Sequence, residues 1–300
     1  MKPPAPGPAL LLVNPTSGRG RGRRLWEQTA AALHAAGYTP TVHLTENLTE
    51  ATQRARTAAP GSLIAALGGD GFLGATAAGA KESGAVLLPL AGGRGNDTIR
   101  RIGLGLDPVR TVRGLSQLVV RDMDLGLVNG RPYLGVANVG FDALANDYGN
   151  RVRINLGPFV YLYGGLRAFA EWRNVTFTLE VDGVRSSVPG WFVAVGNVGQ
   201  YGAGLRICPQ ATVDDGLLDI VTLGRAGIMG VVLTFLRSYR GTHLRQENVS
   251  FTRGRVITID ASKPLDIFAD GENIGRLPAT ITILPAALKV LVPKNSPVFT

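Results

Sequence analysis

Along the first hundred residues, short unbroken apolar runs alternate with longer stretches whose apolar positions recur every three or four residues. Ala9–Val13, Leu63–Leu67 and Val86–Leu90 are continuous apolar runs, the pattern of strands buried on both faces. Between them, the stretch 23–36 puts Leu25, Trp26, Ala30 and Leu33 on one side and stops at Gly37, which predicts a helix. Tyr38–Leu44 alternates like a strand, and Glu50–Ala58 reads as a helix closed by Pro60-Gly61. After the glycines that follow Leu67, the Ala-rich run from Phe72 reads as the start of a helix, and Thr98–Ile102 as a further short one. Strands alternating with helices predict a parallel α/β sheet.

The pattern changes after about residue 120. Leu127–Val128, Tyr133–Asn138, Trp191–Gly196, Leu218–Leu223, Val256–Asp260, Leu265–Ala269 and Thr280–Leu284 read as short strands. Val175–Val181 alternates strictly and runs into Asp182-Gly183, a strong hairpin signal. One helical patch, Phe159–Trp172, interrupts the series. Many short strands separated by turn residues indicate a sandwich or barrel. The expected organisation is therefore an N-terminal α/β domain over 9–124 and a mostly-β sandwich domain over 125–285. A tail over 286–300 contains a last strand, Leu288–Val292, that fits either half and can return to the first.

Composition narrows the class. The chain has 300 residues, 45% of them hydrophobic and 18% charged, enough for sizeable cores. A single cysteine, Cys208, excludes an intramolecular disulfide and a Cys-rich metal site, and fits a reducing compartment. Met1–Pro8 has no apolar signal-peptide core, and no run approaches the ~18 apolar residues of a membrane span. A cytoplasmic protein is expected, at most peripheral on a membrane. The net charge of +9, with arginines at 19, 21, 23 and 24 and again at 94, 100 and 101, favours anionic partners. Nucleotide phosphates, acidic lipid headgroups and nucleic acid all qualify.

Three of the predicted strands end in polar, glycine-containing loops: Asn14-Pro15-Thr16-Ser17-Gly18, Gly68-Gly69-Asp70-Gly71 and Gly92-Gly93-Arg94-Gly95-Asn96-Asp97. In a parallel α/β sheet such loops gather beyond the carboxyl ends of the strands, where ligands bind. A strand that turns through glycines into a helix aims N–H groups and the positive helix end at one point, which suits a phosphate. Asp70 adds a carboxylate able to hold magnesium beside phosphates. Taken alone, the same stretch also reads as a tight turn with Asp70 as a helix cap.

No P-loop signature, H-E-x-x-H pair or G-x-S-x-G elbow is present, and His34, His43 and His243 stand apart from one another. What is present is an ordered set. It consists of Asn14–Gly18, Gly68–Gly71, Gly93–Asp97, Asp124-Leu125-Gly126, Val139-Gly140-Phe141-Asp142-Ala143, Asp214-Asp215-Gly216-Leu217-Leu218-Asp219 and Asp270-Gly271-Glu272. This chain resembles the diacylglycerol-kinase-like lipid kinases, a family that includes bacterial diacylglycerol and phosphatidylglycerol kinases and the sphingosine kinases. The Gly-Gly-Asp-Gly element alone also occurs in NAD kinases and phosphofructokinases; the ordered set spans nearly the whole chain and is far more specific.

The resemblance implies an ATP- and magnesium-dependent kinase that phosphorylates a membrane-lipid hydroxyl, with ATP in a cleft between the two domains. It implies that Asn14, Pro15, Thr16, Ser17, Gly18, Thr45, Gly68, Gly69, Asp70, Gly71, Phe72, Arg94, Asn96 and Asp97 surround the nucleotide. Asp70 and Asp124 would be linked through water to the catalytic magnesium, and Asp270 or Glu272 would take the proton from the lipid hydroxyl. Asp215, with the backbone oxygens of Thr212 and Leu217, would hold a second magnesium. From the residues alone, Asp270-Gly271 and Asp214-Asp215-Gly216 are simply turns. The partners implied are a membrane lipid and an anionic membrane surface, not nucleic acid; the oligomeric state stays open, a homodimer included. The aromatic patch Tyr161, Leu162, Tyr163, Leu166, Phe169 and Trp172 reads equally as a core helix or as a border of the lipid pocket.

The chain also departs from the family pattern. Phe72 stands where many members have Thr, and Gly74 and Ala75 replace the usual Asn and Glu. Gly93-Arg94 replaces Gly-Thr, which offers a phosphate a positive charge in place of a hydroxyl. These departures keep two alternatives in play: a kinase for a soluble acceptor such as NAD, and a catalytically silent lipid- or nucleotide-binding relative.

Overall fold

The computed structural model describes residues 1–141 and 175–300. The aromatic patch at 161–172 and the motif residues Asp142 and Ala143 lie outside the described residues. The N-terminal half is a parallel sheet in the order β2 (Thr39–Leu44), β1 (Pro8–Val13), β3 (Leu63–Gly68), β4 (Val86–Ala91). Every residue of β3 and β4 is buried, as their unbroken apolar runs require. Helices α1 (Ser17–Ala35), α2 (Leu48–Arg56), α3 (Asp70–Ser83), α4 (Asp97–Arg101) and α5 (Pro108–Arg113) fill the crossovers and the exit from β4.

The stretch assigned to α1 opens on a kink outside helical geometry, and its regular turns follow Gly20, close to the start that the apolar spacing predicts. Gly18, Arg19 and Gly20 all take left-handed backbone angles, with φ of 53°, 60° and 80°. Helix α5, capped by the Asp107 carboxylate through the N–H groups of Val109 and Arg110, was not predicted from the apolar spacing.

The C-terminal half is β-rich and mostly antiparallel. Its strands are β5 (Leu118–Val128), β6 (Arg131–Tyr133), β7 (Val136–Gly140), β8 (Val175–Val181), β9 (Val184–Gly196), β10 (Leu218–Gly224), β11 (Val249–Gly254), β12 (Val256–Ala261), β13 (Asp266–Ala269), β14 (Glu272–Arg276) and β15 (Ala279–Pro293). Strand β9 separates two apolar cores. Val193 and Val195 pack with Phe177, Ile220 and Ile257 on one face, and Phe192 and Ala194 pack with Phe141, Val221 and Val231 on the other. Helix α6 (Ile228–Ser238), also missed by the sequence pattern, closes the second core through Val231.

Two long strands run through both halves. Ladder pairs join β5 to β15 from Val128–Ile281 to Leu118–Pro293, with a register shift between Leu284 and Leu288. Beyond the shift β15 pairs in parallel with β4, through Lys289–Val86 and Val290–Leu87, while its first half pairs with β12. The short strand expected at Leu127–Val128 is thus the end of an eleven-residue one. Asp122, which interrupts its apolar pattern, faces outward and pairs with Lys289 at 2.8 Å.

Candidate active site

The loops after β1, β3 and β4 meet backbone to backbone. The N–H groups of Gly92 and Gly93 both donate to Gly68 O, at 2.8 and 3.0 Å. A Cβ on Gly93 would lie 2.5 Å from Gly69 Cα, and one on Gly18 would lie 2.4 Å from Gly92 O. Side chains are therefore excluded where the three loops touch. Asn14 holds the first loop: its Oδ1 accepts from Thr16 N, Thr16 Oγ1 and Ser17 N at 3.1, 2.9 and 3.2 Å. Asn96 holds the third, exchanging hydrogen bonds with Gly93 N and Gly93 O at 2.8 and 2.9 Å. The three successive left-handed residues at 18–20 bend the first loop back on itself, where Gly20 N donates to Thr16 O at 3.3 Å. Thr45 is buried beside this region, its N and Oγ1 both donating to Val13 O.

Asp70 opens α3, where its charge suits the helix dipole, and reaches across to α4. Its Oδ1 accepts from Thr98 N at 2.9 Å and its Oδ2 from Asp97 N at 3.2 Å. Asp97 in turn accepts from Gln200 Nε2 at 3.0 Å and from Ala203 N at 2.8 Å, which ties the third loop to the C-terminal half. Burial, and then the Asp70 charge, push the Asp97 carboxyl above its ordinary range.

Asp270 comes to the same place from the turn between β13 and β14, in a left-handed conformation with φ of 50°. Its Oδ2 accepts from Leu134 N and its Oδ1 from Gly135 N, each at 2.7 Å. Gly74 and Gly135 leave it room, since a Cβ on either would come within 3.0 or 2.7 Å of the carboxylate. Burial is the largest influence on this group and, opposed by the Leu134 N–H and reinforced by Asp70, raises its pKa to about 7. Glu272 is exposed, and its Oε1 lies 3.3 Å from the position a Cβ on Gly71 would occupy.

Asp70, Asp97 and Asp270 line a cavity of about 160 Å³ together with Thr98, Asn138 and Gln200. Two buried polar atoms at this cavity, Thr98 Oγ1 and Asn138 Nδ2, have no hydrogen-bond partner among the described residues. On its other side Asp270 lines a second cavity, of about 350 Å³, whose wall includes Gly71, Gly74, Leu127, Pro132 and Ile274.

The other residues expected at or near this centre have the following surroundings. Phe72 points into the core, 2% exposed, with its ring within 2.6 Å of a Cβ built on Gly68, so it packs beneath the loop. The carboxylate of Asp124 accepts from Gly216 N and Ala286 N, each at 2.7 Å. Burial raises its pKa, and the carboxylates acting on it are those of Asp215 and Asp214. It pins the 214–216 turn to the register shift in β15. Asp215 accepts from Leu217 N at 3.0 Å and has Arg253 Nη1 at 3.6 Å, while Thr212 Oγ1 bonds within its own turn. Arg94 is exposed at the tip of the third loop.

Sequence reading singled out neither Asn138 nor Gln200, and gave Leu134 and Gly135 no role. No motif marks them; the only hint was their place beside predicted strand ends.

Asp70 and Asp97 line the same cavity, with an Oδ2 of each beside Gly95, and two such carboxylates are a donor set that suits magnesium. Among the described residues no three acidic or imidazole side chains converge as a cage. Magnesium does not need one, since it is commonly held by one or two carboxylates, waters and substrate phosphates.

Comparison with known proteins agrees with this architecture. Residues 8–128 match the family model of the diacylglycerol kinase catalytic domain, and residues 135–292 match that of the YegS C-terminal NAD kinase beta sandwich-like domain. The chain is 31% identical to a diacylglycerol kinase of Mycobacterium tuberculosis strain H37Rv, covering 96% of each. It is 33% identical to a "Probable lipid kinase YegS-like" of Pseudomonas aeruginosa strain PAO1, covering 96% of this chain and 95% of the relative. A crystal structure of a diacylglycerol kinase from Bacillus anthracis superposes with a TM-score of 0.74 at 20% identity, over 96% of this chain and 97% of the other, which speaks to the fold alone. The chain belongs to the diacylglycerol kinase family of lipid kinases.

Proposed function

From that membership we propose that the chain transfers the γ-phosphate of ATP, with magnesium, to a hydroxyl of a membrane lipid of the diacylglycerol, phosphatidylglycerol or sphingoid type. The observation that carries the proposal is the convergence of Asp270 with Asp70 and Asp97 on one cavity beside three N–H-rich loops. Phosphoryl transfer depends on positioning and on neutralising the charge of the phosphates. The loops at 14–20, 68–71 and 93–98 would cradle those phosphates, with Arg94 adding positive charge at the rim. Asp70 and Asp97 would hold the magnesium, which when bound neutralises phosphate charge.

Asp270 is the proposed base. A carboxylate with a pKa near 7 can accept a proton at neutral pH as the hydroxyl oxygen attacks the γ-phosphorus. The bond to the bridging oxygen breaks, ADP leaves, and the proton ends on Asp270. The N–H groups of Leu134 and Gly135 fix the carboxylate while each oxygen keeps a lone pair. Asn138 Nδ2 is a free donor in the same cavity and would orient the acceptor or a phosphate oxygen. Glu272 is the less suited base, because its exposure leaves its orientation to solvent.

A second magnesium at Asp215, with the carbonyls of Thr212 and Leu217, would have to share that carboxylate with Arg253. The function is tested by following labelled γ-phosphate from ATP into lipid with magnesium, wild type against Asp70→Asn. Label in lipid that disappears in the variant supports the proposal; label only in a soluble acceptor such as NAD overturns the lipid reading.

A further inference from the structure

Helix α6 presents an apolar face to solvent. Met229 is 77% exposed, Ile228 65% and Leu236 62%, and Val232, Leu233 and Tyr239 are exposed with them. At roughly 100° per residue these six positions fall within an arc of about 140°. The opposite face, Val231, Thr234 and Ser238, is buried against the second core of the β-rich half. The face with hydroxyl side chains is therefore the covered one among the described residues, and the apolar stripe lies open.

The chain on either side of that face is rich in arginine. From Ile220 to Gln246 the chain carries Arg225, Arg237, Arg240 and Arg245 and no Asp or Glu. All four arginines are exposed, and none forms an ion pair among the described residues. An apolar stripe bordered by unpaired arginines is the chemistry of a helix lying in the interface of an anionic bilayer. A second copy of the chain, bringing its own four arginines to the same contact, is the poorer partner on charge.

The helix is also joined to the candidate active site. The segment 200–206 has one end on Asp97, through Gln200 Nε2 and Ala203 N, and the other on α6, where Arg206 N donates to Ser238 O at 3.0 Å. Tyr239 stacks over the same segment, its ring 3.8 Å from the position a Cβ on Gly204 would take. A bilayer touching α6 would thus lie one short segment away from the proposed site of transfer.

We propose that α6 is the element that docks this protein on an anionic lipid surface, inserting Ile228, Met229, Val232, Leu233 and Leu236 while Arg225, Arg237, Arg240 and Arg245 meet the headgroups. This rests on the reading of the chain as a lipid kinase that must meet its acceptor in a membrane, but it is tested separately from that reading. The experiment is co-sedimentation with phosphatidylcholine vesicles, with and without phosphatidylglycerol, for wild type, Met229→Ser/Leu236→Ser and Arg237→Ser/Arg240→Ser. The same proteins are assayed for phosphorylation of a water-soluble short-chain diacylglycerol.

Wild type should bind the anionic vesicles, and added salt should weaken that binding. The apolar variant should lose affinity by about tenfold or more, from the exposed area withheld from the bilayer. The arginine variant should lose its preference for phosphatidylglycerol, and both variants should keep wild-type activity on the soluble acceptor. Unchanged vesicle binding in both variants overturns the docking proposal even if the kinase is active. So does a change from dimer to monomer in the apolar variant with vesicle binding intact, which would make α6 a contact between copies. Absence of activity on every acceptor, with vesicle binding lost as expected, overturns the kinase reading and leaves the docking surface standing.

Discussion

Asp70 caps Thr98: a carboxylate at the start of one helix accepts, at 2.9 Å, the N–H of a residue in the first turn of another. The same oxygen pair also takes the Asp97 N–H, so the loops after β3 and β4 are held at a set distance by one side chain. Asp70→Asn keeps the shape but removes the charge and one acceptor. We expect transfer activity to fall roughly a hundredfold or more. The weakened cap should cost about 1 kcal/mol, a small drop in Tm. Steady-state kinetics beside thermal melts separate the two effects: a large Tm loss with proportionate activity loss would make Asp70 structural only.

Asp270 predicts a pH dependence with a definite sign. Its pKa of about 7 lies above the ordinary carboxyl value, so the folded protein holds a proton there that the unfolded chain has released. Activity should rise as pH increases through about 7, as the base ionises. Stability from this group should move the other way, fully present below the ordinary carboxyl pKa and lost as pH rises toward 7. Asp270→Asn should lose roughly a hundredfold or more in kcat and should lack that decline in urea midpoint with pH. Glu272→Gln should lose less than about tenfold; the reverse ranking would move the base to Glu272.

Gly74 is a departure from the family pattern that the geometry explains. A Cβ at this position would come to 3.0 Å from Asp270 Oδ2, so the usual Asn would displace the carboxylate from the Leu134 and Gly135 N–H groups. Gly74→Asn should therefore reduce kcat more than it changes the KM for ATP. Wild-type kcat in this variant would show that the position of Asp270 is not critical.

Phe72, the other departure, belongs to the core. Its ring is 2% exposed and packs on Gly68, so restoring a Thr there removes a large buried side chain. Phe72→Thr should destabilise by about 3–5 kcal/mol, with no gain in turnover per folded molecule. A gain in turnover would mean that the missing hydroxyl had been limiting catalysis.

Much of this was legible in the sequence because it is local. The runs at Leu63–Leu67 and Val86–Leu90 read as buried strands and the glycines after them as loops at the strand ends, and both are where the structure has them; that the loops touch backbone to backbone appears only in three dimensions. What escaped was set by long-range contact. Nothing near Asp124 signals that its partners are Gly216 and Ala286, far along the chain. Gln200 and Ala203 reach Asp97 only because the two halves fold against each other, and Asn138 is distinguished only by lacking a partner. Helix α6 escaped although its apolar residues are one-sided, because that side faces solvent while the buried side carries Thr234 and Ser238, the reverse of the usual surface helix.

The central claim is that a lipid hydroxyl is deprotonated by Asp270 and takes the γ-phosphate of ATP. Its most direct test is the rate of label transfer from γ-labelled ATP to diacylglycerol in mixed vesicles, for wild type, Asp270→Asn and Asp270→Glu, with NAD offered in parallel. Wild type should label lipid, Asp270→Asn almost none, and Asp270→Glu a part of it, with no label in NAD. Undiminished lipid labelling by folded Asp270→Asn, or label appearing in NAD alone, would contradict that claim.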